Sequence, residues 1–80
     1  MKVCVGLVLY NPQIDRLKRS LEVLASITEE VILVDNGSCN IMEIEHLFDE
    51  IYNVVLLKNN DNLGIATALN QICSYASNHN

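Results

Sequence analysis

The sequence predicts an α/β domain, a three-layer β-α-β-α-β-α unit with its strands parallel in one sheet. Three observations carry this. Residues 30–38, EVILVDNGS, contain the apolar run Val31-Ile32-Leu33-Val34, which stops at the turn formers Asp35, Asn36, Gly37 and Ser38. A continuous apolar run ended by turn chemistry reads as a strand buried on both faces, which a parallel sheet covered by helices requires. Two further apolar runs flank it, and the intervening stretches carry apolar residues at helical spacing. With short loops and right-handed crossovers, this order lays the three strands parallel.

Residues 3–10 form the first strand, apolar on both faces, with Gly6 leaving room for a close neighbour. Asn11-Pro12 ends it, Pro12 suiting a first helical position and Asn11 its cap. From 13 to 26 the spacing turns helical: Ile14, Leu17, Leu21 and Leu24 line one face, and Asp15, Arg16, Lys18, Arg19 and Glu22 a solvated one. After the central strand, residues 41–50 predict a short helix with Ile41, Ile44, Leu47 and Phe48 inward. Asn40 and Glu43 are spaced as a capping box, and His46 sits on the acidic outer face without a metal-ligand partner at the right spacing. Residues 54–58 make the third strand and 59–62 a polar loop. Leu63-Gly64 then opens a last helix to about residue 77. Ile65, Leu69, Ile72, Cys73 and Ala76 are its expected buried stripe, with Asn70 half-buried beside it and in need of partners.

Composition narrows the function. Eighty residues make one small domain of modest burial, and a parallel sheet has edges to cover, so a fragment or an associating chain is expected. Five Lys+Arg against ten Asp+Glu, a net charge of −5, argue against nucleic acid and anionic membranes as partners. An anion would need backbone N–H groups, a helix N-terminus or a metal. Cys4, Cys39 and Cys73 match no disulfide or zinc spacing, which points to a reduced, cytoplasmic setting with Cys39 the exposed thiol. The apolar N-terminus is too short to span a bilayer and lacks a small-x-small cleavage site.

All three strand-to-helix loops (residues 10–12, 35–40 and 59–64) should emerge on one edge, where open α/β sheets bind ligands. The first loop reads LYNPQI rather than G-x-G-x-x-G, and there is no P-loop. The ends of the first and third strands lack the acidic cluster of a phosphoacceptor domain. What remains is a reader of base and ribose. Tyr10 could stack on a base, Asp35 or Asn36 could hydrogen-bond a base N–H or a ribose hydroxyl, and the helix opened by Gly64 could face phosphates. The competing reading is that Asp35 and Ser38 only close a turn and cap the next helix.

V-L-Y-N-P, V-D-N-G-S and N-L-G-I-A-x-A-L-N, each after its strand, resemble the opening of a family 2 glycosyltransferase domain over residues 1–76. The last two motifs most resemble its rhamnosyltransferase-like branch. The resemblance implies the N-terminal half of a GT-A fold, a Rossmann-like arrangement for nucleotide-diphosphate sugars. It further implies that Leu9, Tyr10, Asn11, Asp35 and Asn36 form the base and ribose pocket. The turn at 62–64, with Gly64, and Asn70 would shape its wall. Many members carry Asp at the position of Asn36 and Arg at that of Leu69, which leaves open whether Asp35 or Asn36 meets the base.

In that family a following strand ends in a D-x-D motif that holds magnesium or manganese on the diphosphate, and the catalytic base comes later. This chain stops at Asn80, and Glu29, Glu30 and Asp61 do not substitute. Residues 1–80 are therefore expected to be the nucleotide-sugar-binding part of an incomplete transferase domain. The expected donor is UDP- or dTDP-linked, with no catalytic residue, metal or other cofactor held by the fragment itself. The alternatives are an inert nucleotide-binding or self-associating module, a homo-oligomer through its bare sheet edge, and another doubly wound family. The missing glycine fingerprint counts against the last.

Overall fold

The computed structural model describes residues 3–47, 51 and 53–78. Six elements alternate: β1 (Cys4–Leu9), α1 (Ile14–Ile27), β2 (Glu30–Asn36), α2 (Ile41–His46), β3 (Val54–Asn59) and α3 (Ile65–Asn78). The strands form one parallel sheet in the order β1-β2-β3. As the middle strand, β2 has neighbours on both sides and helices on both faces. Val31, Ile32, Leu33 and Val34 are all fully buried, each stabilising the fold by about 1.5–3 kcal/mol. β1 and β3 lie at the edges and are mostly half-buried.

Alternation along the strands divides the side chains between two faces. Leu17 and Leu21 of α1 and Ile44 of α2 pack with Leu9, Val31 and Leu33 into one core. α3 crosses the other face, over β1 and β2. A Cβ on Gly6 would lie 2.5 Å from Ile72 Cγ2, so the expected close neighbour at that glycine is α3. Two helices on one face and one on the other make this the start of a doubly wound sheet, consistent with the N-terminal part of a GT-A fold.

The expected cap of α1 and the expected capping box of α2 are corrected. The N-cap of α1 is Gln13, with no side-chain bond, and Pro12 precedes the helix. Asn11 instead turns the chain with φ 48°. Asn40 does cap α2, but its side chain makes no cap bond to the helix; its Nδ2 donates 2.9 Å to the Pro12 carbonyl, so no capping box forms. Residues 48–50, the expected end of that helix, lie outside the described residues. The α1 C-terminus is better sealed. Thr28 donates from both N–H and Oγ1 to the Leu24 carbonyl, and Asn53 Nδ2 donates 2.9 Å to that of Ala25, satisfying carbonyls that a helix end leaves open.

The stripe expected on α3 holds at Ile72 and Ala76 and is corrected at Ile65, Leu69 and Cys73. Ala68 is its buried residue, with Gln71, Ile72, Tyr75 and Ala76 half-buried around it. Ile65 and Leu69 are 67% and 49% exposed, and Cys73 joins Cys39 as an exposed thiol. The reason is geometric: α3 lies across two strands of a narrow sheet, so its face is set by the close approach at Gly6. The apolar residues Ile65, Leu69 and Cys73 recur at intervals of four on a neighbouring face.

Candidate functional site

The carboxyl ends of β1, β2 and β3 meet at one edge. There the register aligns Leu9, Asp35 and Lys58 on the α1–α2 side of the sheet, and Asn36 and Asn59 on the α3 side. The two polar residues that end β2 thus point to opposite faces, and each enters a separate network.

Asp35 is 1% exposed. Its Oδ2 accepts from the Ser38 N–H at 2.9 Å and its Oδ1 from Ser38 Oγ at 2.5 Å. Ser38 Oγ in turn accepts from the Asn11 N–H at 2.7 Å, and Asn11 Oδ1 accepts from the Cys39 N–H at 2.7 Å. A buried carboxylate needs such donors, and both of its oxygens find them in one turn. The turn-closing role expected for Asp35 and Ser38 is therefore what the geometry displays, and the same bonds fasten the first loop to the second. Asn11 holds its positive φ, uncommon outside glycine, because both its N–H and its Oδ1 are bonded to that second loop.

The third loop is fastened by shape. Gly37 has φ +81°, and a Cβ there would stand 3.0 Å from Asp61 Cα and 3.1 Å from the Asn60 carbonyl oxygen. Backbone passes over backbone at this point. Below it lies a cavity of about 290 Å³ lined by Asp35, Ser38, Ile41, Glu45, Lys58 and Asn59, among others. Lys58 Nζ pairs with Glu45 at 3.4 Å, both side chains about half exposed, so the pair adds at most about 1 kcal/mol.

On the α3 side, Asn36 is 2% exposed. Its Oδ1 accepts from Asn59 Nδ2 at 2.9 Å, and its Nδ2 donates to the Gly64 carbonyl at 3.3 Å. Gln71 and Asn59 bond reciprocally, at 2.8 and 2.9 Å. Gly64, with φ +86°, has its N–H held by Asn62 Oδ1 at 2.9 Å, while its carbonyl starts α3 by accepting from the Ala68 N–H. Asn70 is exposed rather than half-buried. It lines a groove of about 670 Å³ between β3 and α3, together with Asn59, Gln71 and Tyr75; the internal amide of α3 is Gln71.

Of the residues that sequence assigned to a nucleotide, Asn11, Asp35, Asn36 and Gly64 are thus knitted into one edge. Leu9 is 7% exposed and belongs to the core, whereas Tyr10 is 56% exposed beside it. Asn59 and Gln71 were not foreseen as a pair. The signal was available, since Ala68, Gln71 and Tyr75 share a face at helical spacing. Among the described residues no three His, Cys, Asp or Glu side chains come together, and Asp35 spends both oxygens on Ser38. What this edge offers a ligand is an exposed Tyr10 ring and the N-terminus of α3. No helix among them is long and apolar enough to cross a membrane.

The family described as Glycosyl transferase family 2 matches residues 4–79 of the chain. No curated protein and no solved structure matches it.

Proposed function

The chain belongs to glycosyl transferase family 2, and on that premise we propose that its knitted edge is the donor-nucleotide site of a sugar-transferring enzyme. The reaction is transfer of a sugar from a nucleotide-diphosphate donor to an acceptor hydroxyl. The observation that carries the reading is the convergence of all three family-like loops on one edge, joined by hydrogen bonds among Asn11, Asp35, Ser38 and Cys39 and by one that Asn36 donates to Gly64. The Tyr10 ring stacks on the base, and the N–H groups at the start of α3 face the diphosphate. Asp35 and Asn36 act mainly by shaping the loops, because their polar atoms are engaged and buried.

The rhamnosyltransferase-like look of V-D-N-G-S and I-A-x-A-L-N favours a deoxythymidine-linked rhamnose donor and an envelope or polysaccharide acceptor. The D-x-D metal site and the base that deprotonates the acceptor belong to parts of such an enzyme outside these residues. The unpaired cysteines suit a cytoplasmic setting.

Nuclear magnetic resonance titration of the 80-residue chain with UDP and dTDP, each with and without magnesium, tests the site. Shifts confined to Tyr10, Asn11, residues 35–38 and 62–64, and indifferent to magnesium, are expected. A dispersed spectrum that stays unchanged at about millimolar nucleotide, a weak-binding regime, would sink the donor reading. A second reading, a self-associating module, is favoured by the exposed Ile65, Leu69 and Cys73 face and by two sheet edges that no further strand pairs with among the described residues. Sedimentation equilibrium showing only monomer would remove it.

A further inference from the structure

We infer that Asn59 and Gln71 are positioning residues that hold the Gly64 turn, and with it the first turn of α3, at a fixed place on the donor edge. The inference rests on the donor-site reading for its functional half and on geometry alone for the rest.

The three amides form a ladder whose polarity is set from outside. Gly64 offers a backbone carbonyl, which can only accept, so the Asn36 atom facing it at 3.3 Å must be Nδ2. Asn36 Oδ1 then faces the other way and needs a donor, which Asn59 Nδ2 supplies at 2.9 Å. The second hydrogen of that nitrogen goes to Gln71 Oε1 at 2.9 Å, and Gln71 Nε2 returns a bond to Asn59 Oδ1 at 2.8 Å. Flipping every amide together would restore the contacts among the three but set Asn36 Oδ1 against the Gly64 oxygen. One carbonyl therefore fixes all three orientations.

The ladder closes a ring through the main chain. Asn36 ends β2, Asn59 ends β3 directly opposite it, Gln71 lies within α3, and Gly64 begins that helix. Rotating or sliding α3 would break the Gln71 pair and the Gly64 contact at once. Residues 62–64 are all exposed, and a Cβ at Gly64 would meet nothing within 4 Å, so packing does little to hold this turn. The ladder gives it a buried anchor, and the phosphate-facing N–H groups inherit that anchoring. Asn59 and Gln71 need touch no ligand.

Gln71→Met, which keeps length but removes both amide bonds, is the test, with two readouts in the 80-residue chain. Hydrogen exchange of the Ala68 N–H, bonded to Gly64, should accelerate, and the Asn36 side-chain amide signals should move. UDP binding should weaken about fivefold to tenfold, the worth of a well-placed helix N-terminus. Binding of uridine, which has the base and ribose but no phosphate, should stay within about twofold of native, well under one such contact. Gln71→Glu, which still accepts from Asn59 but cannot donate, should fall between, and it carries the comparison if the Met variant does not fold. Unchanged Ala68 exchange and Asn36 signals would overturn the ladder. Equal losses for UDP and uridine would overturn its link to phosphate. Should the native chain bind neither, the donor reading fails by itself, and the exchange readout still decides the anchoring.

Discussion

Gly37 and Gly64 form a matched pair that separates two effects usually confounded. Their φ values are nearly the same, +81° and +86°, but their surroundings differ. An alanine Cβ at 64 meets open space, so Gly64→Ala should cost only the left-handed conformational penalty, about 1 kcal/mol. At 37 the same penalty applies, and the new methyl also presses on the Asp61 Cα, the Asn60 oxygen and the Asp61 carbonyl carbon at 3.0–3.1 Å. Those are main-chain atoms, which cannot rotate away, and overpacking of this kind adds about 1–3 kcal/mol. Gly37→Ala should therefore lose about 2–4 kcal/mol in total. For a chain whose whole stability is of the order of 4–12 kcal/mol, that is a large share.

Urea unfolding followed by far-ultraviolet circular dichroism measures both variants. With a slope of about 1 kcal/mol per molar, the midpoint should drop by about 1 M for the Gly64 variant. The drop should be about 2–4 M for the Gly37 variant, or the chain should be unfolded from the start. Equal drops would refute the claim that the third loop is seated on Gly37.

Ser38→Ala strips Asp35 Oδ1 and the Asn11 N–H of their partner, at about 2 kcal/mol. The thermal midpoint should fall by roughly 8–16 °C, and an unmoved midpoint would mean that the relay is dispensable. Leu21→Ala, at a fully buried core position, should lose about 2–5 kcal/mol. On the same helix Val23→Ala, 59% exposed, should stay within about 0.5 kcal/mol, and comparable losses from the two would place the core elsewhere. Because Cys39 and Cys73 are exposed and Cys4 is not, an aromatic disulfide reagent should modify two thiols of the folded chain quickly and the third slowly. Three equal rates would contradict the partial burial of Cys4 in β1.

The strands and their parallel order were legible because an apolar run stopped by Asp35-Asn36-Gly37 has few other uses. The inward residues of α1 were legible for the same reason: Leu17 and Leu21 face one broad core, so a simple period suffices. α3 misled because Ile65, Leu69 and Cys73 fit a helical period as well as Ala68, Gln71 and Ile72 do. Only the contact at Gly6, far off in sequence, decides which face turns inward. Capping was only partly legible for a related reason. Asn40 takes the expected N-cap place of α2, but its side chain, like that of Asn11, ties one loop to another, and bonds between loops leave no local pattern. At the site, residue types indicated where polar chemistry gathers but not how each polar atom is engaged.

The split of Asp35 and Asn36 between the two faces of the sheet also bears on how β2 avoids misalignment. A one-residue slip of a strand turns each side chain to the opposite face. Over Val31-Ile32-Leu33-Val34 such an error is nearly silent, because both faces are equally greasy. At the end of the run it is not silent. A slipped strand would bring a carboxylate toward the Gly64 carbonyl and an amide toward Ser38, leaving one repulsion and several unmet donors. The two polar residues thus do what the hydrophobic ones cannot, rejecting the near-miss alignment that an all-apolar strand would accept.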